Sequence, residues 1–113
     1  MWRGDGVSDR LPAHLEIGAI IRAVEAAGGF AAVLAKGERD AGTLLLICCE
    51  RGTQARAMER MPQPDGPPKW TLVRKQDPEN PHEFSDYLDR RRRQDPDLWI
   101  VELDGAGVER FIP

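Results

Sequence analysis

Four consecutive arginines, Arg90 to Arg93, stand directly before the carboxylates of Asp95, Asp97, Glu102 and Asp104. Guanidinium groups close to carboxylates do one of two things. They bind phosphate or an acidic partner in bidentate fashion, or they close into ion pairs. Acids clustered around a strand also suit a metal-dependent hydrolytic edge, but such a site normally needs a neighbouring lysine. None is here, since Glu102 is followed by Leu103 and Asp104.

Helical spacing sorts the four arginines. At about 100° per residue, four in a row sweep most of a turn and make no flat basic face. Asp86 precedes Arg90 by four residues, and Asp89 precedes Arg93 by four and Arg92 by three, the favourable acid-before-base order. Positive charge in a last turn also complements the helix dipole. Between residues 83 and 97 five acids face the four arginines, so the segment is not basic overall. Arg91 differs, because it follows Phe84, Tyr87 and Leu88 on the apolar stripe. Either its stem packs while its head leaves the helix end, or it pairs with Asp95, Asp97 or Glu102.

Other chemistry-bearing residues are sparse. His14 and His82 show no ligand spacing with another His, Cys or acid, so no metal centre is expected. Ser8 and Ser85 sit in no nucleophile elbow, and no glycine-rich phosphate loop is present. No cofactor is implied. Cys48 and Cys49 are adjacent, so on a strand they point to opposite faces and read as buried thiols of a reducing compartment. Trp70 and Trp99 are expected in the core, and become interface candidates if exposed.

The elements that must position these residues follow from periodicity. Ile17, Ile20, Ile21, Val24 and Ala27 recur at helical spacing and predict a helix over 12–27, stopped by Gly28-Gly29. Gly18 within it suggests close approach of another backbone. Apolar runs at 30–36 and 43–50, separated by a polar loop with Gly37 and Gly42 at its ends, predict a hairpin. The second run is apolar on both faces and should be a central, doubly covered strand. Arg51-Gly52 turns into a weaker strand at 54–61, placed towards an edge by Arg56 and Arg60.

Four prolines between Pro62 and Pro68 predict a surface loop, because proline donates nothing to a ladder. A strand at 69–74 follows. The second helix starts with Asn80 as cap, Pro81 at its first position and Glu83 at its third, and ends before Pro96. The last strand covers 98–103.

The expected fold is therefore α+β: a mostly antiparallel sheet of about five strands with two helices, in the order α-β-β-β-β-α-β. Residues 1–8 should be a flexible N-terminus and 9–113 a single domain, which is what 113 residues can bury. A net charge of −3 argues against non-specific nucleic-acid binding. The longest apolar run is about six residues, far short of the ~20 that cross a bilayer. With no secretory h-region after Met1, a cytoplasmic location is expected.

Several stretches together resemble a family of short uncharacterised alphaproteobacterial proteins, the domain of unknown function numbered 1491. They are Ile17-Gly18-Ala19-Ile20-Ile21-Arg22, Asp40-Ala41-Gly42 before Thr43-Leu44-Leu45, and Tyr87-Leu88 with Arg92-Arg93-Gln94-Asp95-Pro96-Asp97-Leu98-Trp99-Ile100-Val101-Glu102. The likeness runs from about residue 10 to the C-terminus and is most specific at the arginine-rich helix end with Asp-Pro-Asp-Leu-Trp. Members carry an aromatic where this chain has Gln94, and the segment from Pro62 to Pro68 is peculiar to this chain. The resemblance implies a bacterial source and brings no activity, cofactor or catalytic residue.

The functional expectation is a small non-enzymatic binding domain, with an unknown protein partner or a second copy joined through a strand edge. One alternative is a phosphate- or small-molecule-handling enzyme using Arg91 with Glu102 or Asp95. The other is a nucleic-acid binder using Arg90, Arg92 and Arg93.

Overall fold

The chain runs α1 (Ala13–Ala26), β1 (Phe30–Ala35), β2 (Leu44–Glu50), β3 (Thr53–Gln63), β4 (Gly66–Lys75), α2 (Pro81–Gln94), β5 (Trp99–Asp104) and a closing 3-10 turn (Val108–Phe111). This is a computed structural model, and it describes residues 11–113. The expectation for residues 1–8 lies outside the described residues.

The six apolar residues Leu44 to Cys49 set the architecture, since alternation makes both faces of β2 apolar. Leu44, Leu46 and Cys48 pack with Ile17, Ile20, Val24 and Val108 beneath α1 and the closing turn. Leu45, Ile47 and Cys49 pack with Phe84 and Tyr87 of α2 on the other side. The sheet therefore carries one helix on each face. The two cysteines are free and buried in different cores.

Strand order is β1-β5-β2-β3-β4, in an α+β fold whose elements follow the expected sequence. The sheet is mixed: β5 lies parallel to β2, whereas the β1–β5, β2–β3 and β3–β4 pairs are antiparallel. This corrects the hairpin expected of β1 and β2, because β5 inserts between them. Their two-glycine loop has another purpose. A Cβ at Gly37 would lie 2.1 Å from the carbonyl oxygen of Asp97, and one at Gly42 would lie 2.5 Å from it. Both glycines let the loop press against the turn that feeds β5.

The proline-rich segment is not a loop. β3 and β4 continue through it as a two-stranded arm, turning at Pro64-Asp65 between the paired Gln63 and Gly66. Proline is tolerated here because it lies beyond the reach of β2, on an edge strand or at a break in register. Pairing of β2 with β3 reaches only Leu45 and Glu59, so Pro62 lies beyond it. Pro67 and Pro68 sit on β4, the edge strand, and the register shifts between Met61 and Gln63. β3 itself is interior, between β2 and β4.

Several local expectations are met. Gly28 ends the α1 region at φ 91°, and Arg51 and Gly52 both take positive φ, 54° and 73°, as a tight primed turn requires. Asn80 is the N-cap of α2 with Pro81 in its first turn, although no side-chain capping bond forms. Gly18 meets no foreign backbone: only the Arg22 side chain, at 3.3 Å, would contact a Cβ there.

Candidate functional site

A polar cluster is built on β3, and Arg91 is part of it. Alternation along β3 sends Arg56 and Arg60 to the α1 side and Glu59 to the α2 side. Arg91 donates from Nη1 and Nη2 to the two carboxylate oxygens of Glu59, each at 2.8 Å, and from Nη1 to the Tyr87 hydroxyl oxygen at 3.0 Å. The Glu59 bond holds the Arg91 guanidinium protonated more firmly than an ordinary arginine, against the opposing effect of burial. Arg74 stacks over the Tyr87 ring at 4.5 Å. Phenol, guanidinium and carboxylate thus satisfy one another.

The other face repeats the device. Arg60 donates to both oxygens of Glu16 at 2.8 and 2.9 Å and lies over the Trp70 ring at 4.8 Å. Glu16 is only 7% exposed, so this carboxylate depends on its partner. Arg56 donates from Nε to Glu109 on the closing turn at 2.7 Å. One strand is therefore tied to α1, α2 and the C-terminal turn.

The residues singled out in the sequence disperse. Arg91 does form a carboxylate pair, with Glu59 rather than Asp95, Asp97 or Glu102. Asp95 accepts the Asp97 N–H at 3.0 Å, and the Asp97 carbonyl accepts the Glu38 N–H at 3.0 Å, so both build the turn into β5. Glu102 is half-buried on β5, between Ala32 and Ile47 in register. Asp104 accepts the N–H groups of Arg51 and Gly52 at 2.7 and 3.0 Å and pins the β2–β3 turn. Trp99 is buried and donates to the Glu38 carbonyl at 2.7 Å, while Trp70 is half-buried under Arg60. No convergent catalytic set results.

Arg90, Arg92 and Arg93 are exposed, and among the described residues no carboxylate lies within the 4.0 Å of an ion pair. The expected pairing with Asp86 and Asp89 is absent. Long exposed side chains gain little from such contacts and lose rotamer freedom in making them.

Other chemistry is also weak. Burial raises the Cys48 thiol to about 11 and the Cys49 thiol to about 12, with Glu109 adding at Cys48 and Glu102 at Cys49. Neither is a ready nucleophile at neutral pH. Among the described residues no group of three or more His, Cys, Asp or Glu could hold a metal. A hollow of about 830 Å³ lies between Thr53, Gln54, Arg56, Lys75, Gln76 and Pro78, away from Arg91. No helix among the described residues is long and apolar enough to cross a membrane.

What remains unsatisfied is apolar. β1 is an edge strand, yet Phe30 is 75% exposed, Val33 45% and Leu34 42%. The sequence could not reveal this, because Phe-Ala-Ala-Val-Leu-Ala reads the same whether buried or not. Glu59 and Glu16 were missed for a different reason. They lie far along the chain from the arginines they hold, and only the double covering of β3 brings them into place.

Fold and site together define a small α+β domain in which the polar side chains with the most chemical potential serve architecture. The chain belongs to a family described as a protein of unknown function, DUF1491, whose pattern matches residues 11–113. It is similar to the crystal structure of a DUF1491 family protein from Caulobacter crescentus, with 30% identity, 91% of this chain and 95% of that chain covered, and a TM-score of 0.77. A solution structure of a protein from A. tumefaciens is also similar, at 30% identity, 90% and 92% coverage, and a TM-score of 0.69. No curated protein matches the chain.

Proposed function

We propose that this chain is a small, non-enzymatic, cytoplasmic interaction domain that works through the edge strand β1. The observation that carries this is the apolar surface left on β1 at Phe30, Val33 and Leu34. Large side chains on an unpaired edge are a hazard unless something covers them. The ion-paired state of Arg91, Arg60 and Arg56 supports the non-enzymatic side, since each of these guanidinium groups already has a carboxylate partner. A photo-crosslinking amino acid at position 33, in cells, tests the proposal against the same group at the exposed Ser85 on α2. Adducts specific to position 33, whatever their identity, are expected. Equal or no labelling at the two positions overturns it.

A nucleic-acid reading has one observation in its favour, the exposed Arg90, Arg92 and Arg93 at the end of α2, which form no ion pair among the described residues. It requires affinity for DNA or RNA that falls steeply with salt. A titration without that dependence removes it.

A further inference from the structure

We infer that the occupant of the β1 edge is a second copy of this chain, paired antiparallel about a twofold axis so that two five-stranded sheets become one. This rests on the interaction reading of β1 and names its partner.

The two edges of the sheet are unlike. β4 has one large exposed apolar residue, Leu72, set among Pro67, Pro68, Lys69, Arg74 and Lys75, the charges and prolines that blunt an edge against further pairing. β1 carries no charge and no proline across its six residues, Phe30–Ala35. Protection at one edge and its absence at the other is the pattern of a sheet meant to extend in one direction.

Face and register then select the partner. Ala31 and Val33 pair with Leu103 and Val101 and so lie on the α1 side, whereas Phe30 and Ala32 pair with Asp104 and Glu102 on the α2 side. Residues opposite one another in an antiparallel pair must share a face. A self-pairing centred on Ala32 meets this condition, because it sets Ala31 against Val33 on one side. It also sets Phe30 near Leu34, the residue at the register shift between Val33 and Ala35. Each large residue then meets the gap or apolar surface that the other copy offers, twice over by symmetry.

Charge agrees. The last turn of α1 has no basic residue and carries Glu25, which opposes the helix dipole. In the same register Lys36, just after β1, comes alongside Gly28 of the other copy, where α1 ends. Each copy thus supplies the positive charge that the helix end of the other lacks.

Sedimentation of the full chain, its Phe30→Glu variant and an Ala32→Cys variant tests this. The expected wild-type species has twice the 12.6 kDa chain mass. Phe30→Glu should raise the dissociation constant about 30-fold or more, as loss of an interface anchor does. Phe30 is 75% exposed, so this change should leave the fold intact, which circular dichroism checks. Ala32→Cys should form a disulfide dimer on mild oxidation while Ser85→Cys does not, the native thiols being buried. A wild-type chain that stays monomeric at high concentration overturns the proposal, as does a dimer that survives Phe30→Glu unchanged. A monomer that still gives foreign adducts at position 33 overturns the second copy but leaves β1 as an interaction edge. A monomer with no adducts removes both.

Discussion

Glu59 and Arg60 are chain neighbours whose side chains leave β3 in opposite directions, one to Arg91 on α2 and the other to Glu16 on α1. Both are partly desolvated, so the cost of breaking either pair comes mainly from the charge left behind. Glu59→Gln keeps the shape and strands the Arg91 guanidinium against a neutral amide. A loss of about 1–3 kcal/mol is expected, read as a fall in the urea midpoint with unchanged slope. Replacing Glu59 and Arg91 together by leucine should cost less than the single change. A midpoint unmoved by Glu59→Gln would show that the pair contributes nothing. The sequence pointed to Arg91 because the apolar stripe of its own helix cannot explain it. It could not name Glu59, 32 residues earlier, because that pairing exists only once α2 lies across β3.

At the scale of elements, short-range signals survived where the chain obeyed local chemistry and failed where distant segments intervened. The Arg51-Gly52 turn, the Asn80-Pro81 helix start and the doubly apolar β2 were legible for that reason. The loop flanked by Gly37 and Gly42 resembled a hairpin connection because a close approach and a turn both call for glycine. The prolines misled because their cost depends on whether a neighbour wants the N–H, which strand order alone decides. The arm beyond Glu59 has no β2 beside it, and Met61, Pro62 and the residues from Pro64 to Lys69 are exposed. Joining Arg60 to Trp70 through Asn-Gly in place of the arm should therefore change stability by less than about 1 kcal/mol. Thermal melts of the shortened chain check this. A collapse in Tm would mean that the arm is held by contacts its exposure does not suggest.

For the molecule as a whole, the decisive fact is that the last strand fills the second place in the sheet. β1 touches the rest of the sheet only through β5, and β5 lines both cores at once: Trp99, Val101 and Leu103 lie under α1, and Ile100 with the preceding Leu98 under α2. All five side chains are 5% exposed or less. At roughly 2 kcal/mol for each such burial they are worth about 10 kcal/mol, as much as the whole net stability of an ordinary domain. A chain ending at Asp95 should accordingly lack cooperative unfolding, since β1 would have no neighbour and both helices would cover an open sheet. It should bind a hydrophobic dye and show no sharp near-ultraviolet dichroism. A peptide spanning 96–113, added in trans, should restore both signals by supplying β5, its Asp95–Leu98 turn contacts aside. Cooperative melting of the truncated chain alone would mean that β2, β3, β4 and the helices form a core without the last strand. The sheet would then be built outward from its hairpins rather than closed at its centre.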